Sequence, residues 1–268
     1  MLVFIGLGLH DEKDITLRGL EEARSCDVLF AEFYTGLLAG TNLKKIESLM
    51  GTEVKLLSRG DVEERGDALL MYAKERKVGL LVAGDPLIST THVHLRLRAK
   101  ELGIETRVVH NASIFSAAPS ISGLQNYKFG RSATIAIPEK GFFPETPYEV
   151  VKENKKRSLH TLLFLDIKAE KGKYMTANQG MQIMLEIEKK RKEKVFTEKT
   201  LCVVLGNVGS DDCVLKAGKV KDLVGQDFGA LPHSLIVPGK LHFIEEEYLT
   251  AFGGLKAVSS TRSEGTNA

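Results

Sequence analysis

The chain has 268 residues, 43% of them hydrophobic and 27% charged, which is ordinary globular material and enough for two compact units. A formal net charge of +2, with acids and bases interspersed, argues against a protein that holds nucleic acid through a basic stripe. Cys26, Cys202 and Cys213 are odd in number and far apart, so they offer neither a disulfide framework nor metal-ligand spacing and read as apolar filler in a reducing compartment.

Short apolar runs alternate with stretches of helical period along the whole chain. In the first half, strands are expected at 2–5, 27–33, 53–57, 78–83 and 104–110. Helices are expected from Asp14 with Leu17, Leu20 and Ala23 on one face, then at 42–50, 61–77 and 90–102. The strands lack alternation of apolar and polar residues, which suits a parallel sheet covered on both faces. The polar run QNYKFGRS at 125–132 breaks the rhythm and is expected to link a first domain, 1–124, to a second, 133–257. In the second half, strands are expected at 133–137, 161–167, 200–205, 214–217 and 233–237. Helices are expected at 148–157, 176–192, from Lys221, and at 244–251, with a polar tail at 258–268. The fold class is therefore α/β in two successive units. The apolar runs are strand-sized, too short for a secretory leader or a membrane span, so the expected location is cytoplasmic.

Two strand-end loops carry the strongest local signals. Gly6-Leu7-Gly8-Leu9 follows an apolar strand and precedes a helix, which lets backbone approach a ligand and offers N–H groups to it. A dinucleotide fingerprint would want a third glycine where Asp11 stands; Glu32 could serve as its ribose acid, and a plain tight turn is an even alternative. Gly84-Asp85-Pro86-Leu87 ends the most apolar strand and aims a carboxylate at the rim where open α/β sheets bind ligands; an N-cap or Asx turn before the next helix, which Ser89-Thr90-Thr91 could equally cap, is the alternative. Asn111-Ala112-Ser113-Ile114 lies after the fifth strand and, by parallel topology, at that same rim. The seven histidines show no acid partners at ligand spacing, and His92 and His94 diverge on a helix, so structural roles and no metal site are expected.

Taken in order, FIGLGLHDEKDITLRGLE, AEFYTG, AGDPLISTTHVHLRLRAK, NASIFSA, YKFGRSAT, HTLLFLDIKAEKGKYMTAN and HSLIVPGKLHFIEEEYL resemble the diphthine synthases of the tetrapyrrole-methylase-like superfamily. The likeness spans the chain up to about Ala257. The porphyrin and corrin methylases fit less well, since they carry Gly-x-Gly-Pro-Gly where this chain has Leu9-His10. The resemblance implies two α/β domains with an interdomain cleft, S-adenosylmethionine as cofactor, and a homodimer. It implies cofactor contacts at Leu9, Asp85, Ile88, Ser113 and Ile114 from the first domain and at Leu165, Val208 and His233 from the second. Val208 matches least, because Gly206-Asn207-Val208 departs from the small-residue pattern expected there. The implied reaction methylates the amino group of a modified histidine on translation elongation factor 2. No residue identifies itself as a base for that step. A nucleotide-dependent oxidoreductase using Gly6-x-Gly8 and Glu32, another small-molecule methylase of the superfamily, and a non-catalytic nucleotide-sensing module stay open as alternatives.

Overall fold

The computed structural model describes residues 1–139 and 142–256, so the tail expected at 258–268 lies outside the described residues. The first half builds β1 (Leu2–Gly6), β2 (Val28–Glu32), β3 (Val54–Leu57), β4 (Val78–Val82) and β5 (Thr106–Val109). Helices α1 (Leu17–Arg24), α2 (Leu43–Met50), α3 (Arg59–Glu63), α4 (Gly66–Glu75) and α5 (His92–Glu101) connect them. The strands form one parallel sheet in the order β3-β2-β4-β1-β5. β1 and β4 are buried at every position, because helices cover both faces; that is why LVFIG and VGLLV show no alternation. Phe4, Leu80 and Leu95 pack on one face, Ile5, Leu81 and Ile46 on the other. Parallel pairing carries the C-terminal ends of β1, β2, β4 and β5 to a single rim.

The helix expected across 61–77 is two. Ser58 and Asp61 form a reciprocal cap on α3. The N–H of Arg65 then turns back to the carbonyl of Gly60 at 2.9 Å. Gly66 starts α4 where a Cβ would sit 2.9 Å from Leu95, so the close approach of α5 sets the break.

A further helix, α6 (Ile114–Ser122), was not expected from the sequence. Ile114, Ala118 and Ile121 do stand at helical spacing, but the segment is short and its internal Pro119 reads as a helix breaker. Its Ala118 packs in one cluster with Leu162, Val203, Ile236 and Leu249 of the second half, with Ile121 against them.

The second half contains β6 (Ala133–Ile135), β7 (Thr161–Leu165), a small hairpin of β8 (Ile167–Lys168) and β9 (Lys173–Tyr174), then β10 (Leu201–Gly206), β11 (Val214–Lys219) and β12 (His233–Val237). Its helices are α7 (Thr146–Lys156), α8 (Ala177–Arg191), α9 (Val220–Leu223) and α10 (Phe243–Gly253). The sheet runs β11-β10-β12-β7-β6, with only β6 and β7 parallel. Met181, Met184 and Ile187 of α8 fill one face, while α6 and α10 cover the other. Cys202 is buried, and burial pushes its thiol up to about 12, as suits an inert filler. Among the described residues no helix is long and apolar enough to cross a membrane.

One buried ionic clasp fixes α10. Both oxygens of Glu245 are engaged: Oε1 accepts the N–H of Gln125 at 2.9 Å and faces His160 Nε2 at 3.0 Å, while Oε2 accepts the N–H of His242 at 2.7 Å and the ammonium of Lys128. His160 Nδ1 accepts from the N–H of Gly239 at 3.0 Å, so Nε2 carries the proton and donates to Glu245.

Candidate functional site

The Gly6-to-Leu9 loop does not present free N–H groups. Leu7 and Gly8 donate to the carbonyls of Val82 and Gly84, and Asp14 Oδ2 accepts from Leu9 at 3.2 Å, His10 at 2.7 Å and Asp11 at 3.4 Å. Gly8 has φ of +90°, and a Cβ there would meet that of Asp14 at 2.4 Å. An internal anion thus occupies the concavity in which a dinucleotide fold would cradle pyrophosphate. Glu32 is equally committed. Its Oε2 accepts the N–H groups of Tyr34 and Thr35, both at 3.1 Å, its Oε1 accepts the Thr35 hydroxyl, and it lies fully buried 3.5 Å from His92 Nε2. No ribose acid remains, which removes the support for the oxidoreductase.

The two opening loops do touch. Gly8 and Gly84 form an antiparallel bridge, with the Gly84 N–H donating to the Gly8 carbonyl at 2.8 Å. Asn111 ties in the third loop: its Nδ2 donates to the carbonyls of Gly6 and Asp14, each at 3.0 Å. Asp85 joins the ends of β4 and β5. Its Oδ1 caps the N–H of Leu87 at 3.2 Å, and its Oδ2 meets His110 Nδ1 at 2.8 Å and the N–H of Asn111 at 3.4 Å. His92 supports the loop from beneath, with Nδ1 donating to the Pro86 carbonyl at 3.0 Å. Sequence reasoning placed the Asn111 loop at this rim, Asp14 at a helix start and His92 in a structural role, but did not foresee the ties of Asn111 to Gly6 and Asp14 or of His92 to Pro86.

Ser113 and Ile114 stand at the head of α6. The Ser113 side chain, 7% exposed, has a hydroxyl with no hydrogen-bond partner, and a Cβ on Gly84 would lie 3.3 Å from its own. Ile88 closes the turn after Asp85 and is 39% exposed at the rim. From the second sheet, pairing of Gly206 with His233 and of Ser234 with Phe164 brings the end of β10, the start of β12 and the end of β7 to one edge. Val208, Leu165 and His233 therefore share that edge. The His233 ring is internally satisfied: Nδ1 accepts from the N–H of Ala177 at 3.3 Å and Nε2 donates to the Gly229 carbonyl at 3.2 Å. Burial lowers its pKa, keeping it neutral.

The two edges meet. His10 Nδ1 lies 3.1 Å from Asn207 Oδ1, and a Cβ on Gly209 would sit 2.8 Å from that of Leu9. Leu9 thus lies beside the Asn207–Gly209 turn that carries Val208, and Val208 shares an apolar cluster with Ile114. A cavity of about 340 Å³ opens between Tyr34 and Arg59 of the first half and Glu139, Asp166, Ile167, Lys168, Ala169 and Lys171 of the second. None of the eight residues expected to contact cofactor lines it. Among the described residues no group of three His, Cys, Asp or Glu side chains is placed to hold a metal ion.

The family model of the tetrapyrrole (corrin/porphyrin) methylases matches residues 1–224. The diphthine synthase of Methanocella arvoryzae is 51% identical over 257 residues, covering 96% of this chain and 99% of that protein. That of Methanocaldococcus jannaschii is 47% identical over 251 residues, covering 93% and 97%. A crystal structure of a diphthine synthase superposes with a TM-score of 0.87 at 36% identity, covering 95% of this chain and 96% of the other. With its two linked α/β sheets and its facing rims, the chain belongs to the tetrapyrrole (corrin/porphyrin) methylase family.

Proposed function

We propose that the chain is an S-adenosylmethionine-dependent methyltransferase that converts the 3-amino-3-carboxypropyl-histidine of translation elongation factor 2 to diphthine. The observation that carries this reading is the full-length likeness to diphthine synthases, at about half identity, on a cleft whose dinucleotide alternative is blocked by Asp14. A homodimer in the cytoplasm is part of the reading; sedimentation equilibrium tests the dimer and cell fractionation the location.

The residues fit the cofactor. A sulfonium nucleoside needs apolar walls, a few polar contacts and close backbone approach. Leu9, Ile88, Ile114, Leu165 and Val208 supply the first. The orphaned Ser113 hydroxyl supplies a polar contact, and Gly84, at φ of +72°, supplies the close approach. Asp85 and His233 shape the two rims through their internal hydrogen bonds rather than by offering free polar atoms. When bound, S-adenosylmethionine supplies a methyl on sulfur, so an N–C bond forms as the C–S bond breaks and the electron pair stays on sulfur. The chain's part is to hold amine, methyl and sulfur in line and to exclude water.

Two measurements test this. Labelled methyl should appear on elongation factor 2 bearing the modified histidine and not on the unmodified factor; no transfer would sink the reading. Ser113→Ala should leave the protein folded and cost at most about 0.5–2 kcal/mol, the range for losing an N-cap side chain at the head of a helix. The same variant should weaken cofactor binding about five-fold, the scale of one neutral hydrogen bond. Thermal unfolding of the free variant checks the first half, and calorimetric titration checks the second.

A further inference from the structure

Leu9 on the first rim and Val208 on the facing edge, both expected donor contacts, flank the hydrogen bond that joins the two. His10 directly follows Leu9, and Asn207 directly precedes Val208. His10 Nδ1 lies 3.1 Å from Asn207 Oδ1, a contact between residues 197 apart in the chain. An amide oxygen only accepts, so Nδ1 is the donor.

Both partners are held from behind. The N–H of His10 donates to Asp14 Oδ2 at 2.7 Å, and its carbonyl accepts the N–H of Gly40 at 3.0 Å. The ring lies so close to Gly40 that a Cβ there would sit 2.3 Å from Nε2, which leaves it little room to turn away. On the facing edge Asn207 is 6% exposed, and its N–H donates to the Pro232 carbonyl at 2.9 Å. Its own carbonyl accepts the N–H of Ser210 at 3.2 Å and the Ser210 hydroxyl at 2.9 Å. Asn207 has φ of +48°, a left-handed conformation that glycine adopts with less strain. The turn alone therefore does not call for asparagine. What asparagine adds is the oxygen that meets His10, and a strained residue kept at a cleft is a pointer to function.

We propose that His10 and Asn207 form a latch that sets the width of the donor cleft between Leu9 and Val208. The assignment rests on the S-adenosylmethionine site proposed above. They are positioning residues, acting on the donor through the neighbour that each one carries. With the latch closed, the two apolar walls stand at the spacing that the donor fills; with it broken, the edges slide apart and the walls lose their grip. The fold does not depend on it, because Ala118 of α6 is already rooted among Leu162, Val203 and Ile236.

The test compares His10→Leu, His10→Asn, Asn207→Gly and the double variant His10→Leu/Asn207→Gly with wild type. Calorimetric Kd for S-adenosylmethionine and the thermal midpoint of the free protein are read for each. Leucine and asparagine both remove the ring and match each other in shape, but only asparagine carries a donor where Nδ1 stood. His10→Leu and Asn207→Gly are each expected to raise donor Kd about five-fold, the scale of one neutral hydrogen bond. The double variant should also stand near about five-fold, since each single change removes the same contact. His10→Asn should stay within about two-fold of wild type. Donor Kd within about two-fold in both His10→Leu and Asn207→Gly overturns the latch. So does a double variant whose loss is the product of the two singles, or affinity that falls only in step with the thermal midpoint. Wild-type protein that binds no S-adenosylmethionine overturns the proposed function, and the latch with it; wild-type binding that the variants leave unchanged overturns the latch alone.

Discussion

Asp85→Ala should raise the dissociation constant for S-adenosylmethionine by about 30-fold or more, close to 2 kcal/mol, while the protein stays folded. The carboxylate is buried and serves three groups on two loops: the N–H of Leu87, the ring of His110 and the N–H of Asn111. Its loss leaves two N–H groups without an acceptor and cuts the link between the ends of β4 and β5. The cost to stability is modest, about 1–2 kcal/mol, because the His110 ring is 74% exposed and the pair with it is screened. The cost to binding is larger because the same loops present Gly84, Ile88 and Ser113 to the cleft. Asp85→Asn keeps one acceptor and should fall between. Unchanged calorimetric affinity in Asp85→Ala would remove the loop from the binding site.

Glu245→Ala should be the most destabilising of these changes, by about 3–5 kcal/mol, the usual cost of breaking a buried ion pair by deleting one partner. Four donors converge on that carboxylate, and without it the Lys128 ammonium and the His160 ring lose their acceptor. The pH dependence follows from the same contacts. Burial alone would raise the Glu245 pKa, but the His242 N–H, the Lys128 ammonium, the Gln125 N–H and His160 outweigh it and hold it at about 2, against an ordinary 4.5. The native state therefore binds this proton less readily than the unfolded chain does. The resulting stabilisation, about 3 kcal/mol, is fully present above pH 4.5 and is lost as pH falls toward 2. Urea unfolding of wild type across that window should show the loss, and Glu245→Gln should flatten it. A variant whose pH profile still parallels wild type would place the acid sensitivity elsewhere.

The first sheet was legible in the sequence because burial on both faces writes itself as unbroken apolar runs, and parallel pairing then forces three loops to one rim. The antiparallel pairing of the second sheet was not, since strand direction leaves no mark on composition. The buried polar contacts were hidden for a related reason: His160 and Glu245 lie 85 residues apart, and only the fold sets them 3.0 Å from each other. In the site, glycines and Asp85 stood out, yet the sequence could not tell that Asp14 fills the concavity those glycines suggest. The pattern of a phosphate loop and that of a loop closed by its own acid differ only in where one side chain folds back.

Helix α6 gives the molecule a mechanical property that the order of its parts conceals. Its first residues, Ser113 and Ile114, belong to the rim of the first sheet, but its body is rooted among Leu162, Val203, Ile236 and Leu249 on the second. The two sheets therefore cannot swing apart about the segment 125–132 without dragging a piece of the cleft wall along. A chain severed there would leave α6 on the fragment that lacks its packing partners. Opening and closing must be small, concerted sliding rather than the free swing of two lobes on a tether.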